Sequence, residues 1–255
     1  MRGSYTRVRW HQPESLPVKE ESARLIRAAA PISDDRNALL DMLLLVGIPV
    51  VEGADTASQY AVELLKLAAE VEHALMVQYL YAAASLPDEP GADSVNYHGK
   101  LMDVAIQEMG HLATVQNLLL LVGGRDALYM QRDAMRQISD KNPIPFVLEP
   151  ISKGSLAKYV AAEMPGQVPP ELAVKVDELV RLASKSAGVD THRVGVIYEL
   201  LAWIFTPPRE SEGKVDFAAL APLPKEPHLR DDDLSDALEI EQHEALPEEW
   251  HVFEP

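Results

Sequence analysis

The chain has 255 residues, with 23 Lys and Arg against 40 Asp and Glu, a formal charge of -17 and no cysteine. The missing thiols exclude disulfides, Cys-based zinc sites, thiolate-held clusters and thiol nucleophiles together, so any metal must be held by His, Asp or Glu. The few basic residues are scattered rather than massed, which makes nucleic acid and anionic membrane poor partners.

This length supports a substantial core, read as an N-terminal helical extension over residues 1–55 and a helical bundle domain over 56–255. The opening residues, Met1 to Trp10, lack the apolar stretch of a secretory signal. No run approaches the roughly 18 residues that would span a bilayer, so the expected location is the cytoplasm.

An apolar stretch over 18–30 is followed by Ser33-Asp34-Asp35, an N-cap for a leucine-rich helix reaching Val46, which Gly47 and Pro49 end. Thr56 or Ser58 caps the next helix, over about 60–86, where Leu65, Ala69, Glu72, Met76, Tyr79 and Ala83 recur at helical spacing. After a Pro/Gly/Asp loop the pattern repeats over about 95–122, with Val104, Glu108, His111, Val115, Leu118 and Val122 aligned. Gly123-Gly124 stop it.

The stretch over 125–170 is rich in proline and reads as turns with one short helix near 155–163, the kind of long insertion that often shapes a site. Helical signal resumes over 170–187, a surface helix, and over 190–205, where His192, Val196, Glu199 and Trp203 share a face. Pro207-Pro208 end it. A proline-rich connector leads to Asp231-Asp232-Asp233, which starts a last helix running to about Leu246.

A carboxylate on the apolar face of a packed helix is expensive to ionise unless a cation or hydrogen-bond donors compensate it. Glu108 and His111, three residues apart, project from one helical face, and Glu72 interrupts the apolar stripe of the preceding helix. In four-helix di-iron bundles one Glu comes from each of two helices and Glu-x-x-His from each of the other two. Glu72, Glu108 and His111 match half of that set, and carboxylate with imidazole suits iron or manganese. The alternative is a Glu paired with Arg or Tyr and a hydrogen-bonded core histidine.

For the other half, Glu199 is the natural third-helix ligand if its apolar helix is buried all round, with a surface-facing Glu as the alternative and His192 as a substitute. On the last helix Leu234, Leu238, Glu241 and Ala245 align, placing Glu241 inward and Glu244 one turn further, while Glu239 and His243 form a competing face. Glu248 and His251 repeat the Glu-x-x-His spacing beyond Pro247. Tyr79, two turns or about 10 Å past Glu72, bonds a ligand or lines a pocket, or else packs with its hydroxyl on a carbonyl.

Glu70-Val71-Glu72-His73-Ala74 with Gln78-Tyr79-Leu80, and Gln107-Glu108-Met109-Gly110-His111-Leu112 leading to Gly123-Gly124, resemble the ferritin-like domain of the iminophenyl-pyruvate dimer synthase family. The segment around Pro145-Phe146 to Pro150, and Tyr159 to Pro165 including Glu163, is similar to the family's intervening region. The resemblance implies an all-α, ferritin-like four-helix bundle, to which this chain adds N-terminal helices and long inserted loops. It implies Glu72, Glu108, His111 and Glu241 as ligands, with His251 similar to a downstream family histidine, and Glu163 joins Tyr79 as an expected catalytic residue. Where the family carries a Glu directly after a glycine on the third helix, this chain has Val196 after Gly195.

The expected function is a non-haem iron enzyme, binding one or two irons or manganese, that uses dioxygen to oxidise a small, amino-acid-derived molecule in specialised biosynthesis. A homo-oligomer is compatible with it. The rival readings are an iron-storage or detoxifying ferritin-like protein and a metal-free binding protein with a degenerate site.

Overall fold

The structure, a computed structural model, describes residues 8–13, 43, 47–90, 94–130, 147–163, 170–187, 194–211 and 215–235. The apolar stretch over 18–30, most of the expected helix over 33–46 and of the last helix, and His192, Glu241, Glu244 and His251 lie outside the described residues; Leu43 is helical and fully buried.

Two long helices carry the architecture, α1 (Ala57–Ala84) and α2 (Tyr97–Gly123). Each begins at a side-chain cap: Thr56 Oγ1 accepts from the Gln59 amide at 3.2 Å and Asn96 Oδ1 from the Gly99 amide at 2.8 Å. These caps satisfy amides that the first helical turn leaves without partners. The two helices run antiparallel, since Ser58 at the start of α1 reaches the Val122 carbonyl and His98 at the start of α2 bonds that of Ala83.

Alanine and leucine fill the core around them. Ala61, Ala68, Ala82, Ala83 and Ala105 are fully buried beside Leu64, Leu65 and Leu119; burying each such leucine stabilises the fold by about 1.5–3 kcal/mol. Gly123 sits where a Cβ would lie 2.4 Å from that of Ala127, and Gly124 takes φ 69° to close α2.

The insertion contributes a second hairpin, α3 (Lys153–Glu163) and α4 (Ala173–Ala187). Ala157 and Ala161 of α3 pack on Ala183, while Tyr159 and Ala162 face the main core. The last described helix, α5 (Gly195–Phe205), lies on α1 and buries Val196, Ile197, Leu200, Leu201, Trp203 and Ile204. Trp203 packs against Phe217 and against His228, whose Nδ1 bonds the Trp203 carbonyl at 2.9 Å. Ser235 then bonds the carbonyls of Leu121 (2.7 Å) and Leu120 (2.9 Å), tying the connector to the end of α2.

One feature departs from the expected all-helical N-terminal extension. Val8–His11 (β1) and Ile48–Val51 (β2) pair antiparallel, with Val8 opposite Val51 and Trp10 opposite Pro49. The Pro49 carbonyl accepts the Tyr60 hydroxyl at 2.5 Å, so this small sheet is fastened to α1. Four-residue strands are too short to show a period-2 pattern, and their pairing partners are distant in sequence. Among the described residues no helix is long and apolar enough to cross a membrane.

Candidate metal centre

Glu72 of α1 and Glu108 and His111 of α2 converge, each offering a ligand atom within 4.8 Å of the others. His111 Nδ1 lies 3.2 Å from Glu108 Oε2 and 3.4 Å from Glu72 Oε2. Glu72 and Glu108 are buried and His111 is half-buried at the rim. Glu72 Oε1 accepts the phenol of Tyr198 from α5, but its Oε2 has no hydrogen-bond partner among the described residues. An unsatisfied buried polar atom costs about 1–3 kcal/mol, and more when charged.

The electrostatics reflect the crowding. Burial pushes the Glu108 carboxyl up to about 8, the neighbouring Glu72 adds to the rise, and His111 opposes it. Burial by itself would lower His111, but Glu108 and Glu72 outweigh it and carry the imidazole up to about 10. Without a cation, protons neutralise this cluster. Two carboxylates and an imidazole, with one buried carboxylate oxygen that accepts no hydrogen bond among the described residues, fit a first-row divalent cation, which would take over that neutralising role.

A second polar group adjoins the first. Tyr79, on α1, donates its phenol to Glu163 Oε1 at the end of α3, and its ring lies 4.8 Å from that of Tyr159. Burial pushes Glu163 up to about 8, with Glu108's charge adding to the rise and the Tyr79 bond and His111 opposing it. Burial and then Glu163 raise the Tyr79 phenol. The two expected catalytic residues, 84 positions apart, are thus brought together, with the Tyr79 hydroxyl on a carboxylate rather than a carbonyl.

Glu199 requires a correction. It is exposed, because α5 is not buried all round: Glu199 and Ala202 face outward while Tyr198 turns to Glu72. Adjacent helical residues project about 100° apart, so taking 199 instead of 198 moved the functional group off the site. The signal for Tyr198 was its spacing with Leu201 and Phe205 of that helix and with Val194 just before it, all apolar.

Two other polar pairs serve the scaffold. Tyr129 donates its phenol to Glu70, and Gln116 clamps the Tyr129 backbone through both its N–H (3.0 Å) and its carbonyl (2.5 Å), pinning the start of the insertion to both long helices. Buried Lys158 pairs with Glu149, and burial lowers its pKa.

A family model described as Ferritin-like matches residues 65–222, more than half of the chain and a span containing Glu72, Glu108, His111, Glu163 and Tyr198. The chain is 30% identical over 143 residues to a 2-imino-3-(indol-3-yl)propanoate dimerase of Chromobacterium violaceum, covering 45% of this chain and 14% of that protein. It is 27% identical over 153 residues to a dichlorochromopyrrolate synthase of Lentzea aerocolonigenes, covering 47% of this chain and 15% of that protein. The alignments thus span only about a seventh of the length of these relatives. No solved structure matches.

Proposed function

The chain belongs to the ferritin-like family, and from that premise we propose that it is a non-haem metal enzyme, holding iron or manganese through Glu72, Glu108 and His111. It oxidises a small amino-acid-derived molecule with dioxygen in specialised biosynthesis. The observation that carries the reading is Glu72 Oε2, buried without a hydrogen bond among the described residues and 3.4 Å from His111 Nδ1. The relative named for a 2-imino-3-(indol-3-yl)propanoate supports the substrate class. Glu241, Glu244 and His251 remain proposed further ligands, with no geometry attached.

A cation held there supplies Lewis acidity and redox chemistry that side chains lack. The protein's own part lies in arrangement. Tyr198 occupies Glu72 Oε1 and so directs Oε2 toward His111. Burial keeps bulk water from the Glu72 and Glu108 carboxylates. Glu163, raised to about 8, keeps a proton near neutral pH, and with Oε1 bonded by Tyr79 that proton sits on Oε2, where Glu163 can serve as a general acid.

The test is elemental analysis after anaerobic reconstitution with Fe(II). Wild type retains iron, and the Glu108→Ala/His111→Ala double variant loses it while its helical circular dichroism persists. A second reading, a metal-free binding protein, is favoured by the outward Glu199 and by the phenol that meets Glu72 instead. Wild type retaining no first-row metal would select it.

A further inference from the structure

Tyr159 is 2% exposed, and its hydroxyl has no hydrogen-bond partner among the described residues. Its neighbour Tyr79 differs: that phenol is bonded to Glu163. The two rings lie 4.8 Å apart and tilted by 49°. Tyr159 and Glu163 are one turn apart on α3 and so share a face. The oxygens of the two phenols are near enough that Tyr159 adds to the rise in the Tyr79 pKa, after burial and the influence of Glu163 and Glu108. A phenol can pack apolar surface as phenylalanine does, so a buried O–H without a partner is a liability that packing alone does not explain.

We propose that the Tyr159 hydroxyl is a substrate-binding donor, forming with Tyr79 and Glu163 a subsite beside the metal ligands that receives a neutral sp2 acceptor, the oxo or imino atom of a 2-oxo or 2-imino acid. The subsite rests on the organic substrate proposed above. The choice of a neutral acceptor follows from burial: a substrate carboxylate placed on Tyr159 would give up its hydration in return for one neutral O–H. A carbonyl or imine takes the O–H without adding charge. A buried donor left unpaired until substrate arrives also discriminates against molecules lacking the acceptor.

The assay pairs stability with binding. Tyr159→Phe removes an O–H that the folded protein does not use, so its Tm equals or exceeds that of wild type, whereas Tyr79→Phe strips Glu163 of its donor and lowers Tm. In calorimetric titration, 2-oxo-3-(indol-3-yl)propanoate, the oxo analogue of the imine in the relative's name, binds Tyr159→Phe about tenfold more weakly than wild type. 3-(Indol-3-yl)propanoate, which lacks the acceptor, binds both alike.

A fall of several degrees in Tm for Tyr159→Phe would overturn the proposal, because the hydroxyl would then have a structural partner. Equal affinity of wild type and variant for the oxo acid would overturn the subsite alone. Failure of wild type to bind either acid would remove the substrate reading and the subsite with it.

Discussion

Tyr198 donates its phenol to Glu72 Oε1 across the interface between α5 and α1, so a helix that contributes no carboxylate to the cluster still governs which oxygen Glu72 presents to Glu108 and His111. Partners that orient a metal-binding carboxylate commonly change metal affinity 10- to 100-fold when removed.

Tyr198→Phe is therefore expected to keep the fold, with a stability loss of about 1–3 kcal/mol for a buried carboxyl oxygen left without its donor. Glu72 Oε1 would be released, altering the ligand field. The visible spectrum of the Co(II)-substituted protein reads that change. An unaltered spectrum together with unaltered Co(II) affinity would show that the phenol only packs.

Stability of the cation-free protein should carry the signature of its raised carboxyl. Glu108 moves from 4.5 to about 8 on folding. Between those values the unfolded chain has released a proton that the folded chain still holds, so rising pH weakens the fold. Glu108→Gln, which mimics the protonated acid, should gain in Tm on wild type as pH rises from about 5 to about 8. His111, raised from 6.5 to about 10, acts in the same direction: its contribution is full below the unfolded value and is lost as pH rises through the folded one. Metal binding displaces these protons, so the Tm gain produced by Mn(II) should grow over the same interval. A gain that shrinks with pH would contradict the assignment of these ligands.

Glu199→Ala should leave metal content unchanged and stability within about 0.5 kcal/mol, as for most exposed positions away from special features. Elemental analysis and urea denaturation check both. Loss of metal in this variant would restore Glu199 as a ligand and refute the orientation of α5 in which Tyr198 faces Glu72.

The pattern of what was legible follows from helix length and sequence distance. Glu72, Glu108 and His111 stood out because α1 and α2 are 28 and 27 residues long, enough turns to define an apolar stripe and expose its interruptions. The match to a ferritin-like family over 65–222 meets the fold expected from those motifs. By contrast α5 has 11 residues, most of them apolar, so its phase was ambiguous and Glu199 was read as facing inward. The short strands had no such pattern to read. The Tyr159 hydroxyl could not be identified as unpartnered from sequence, since that property belongs to its surroundings rather than to the residue.

The fastening of α1 to α2 at both ends bears on ion choice. Ser58 on the Val122 carbonyl and His98 on that of Ala83 fasten the two helices near opposite ends, and the close-packed core between them resists both sliding and separation. Glu72 and Glu108 thus start from a fixed gauge, and cations of different radius would be sorted by contacts that never touch them.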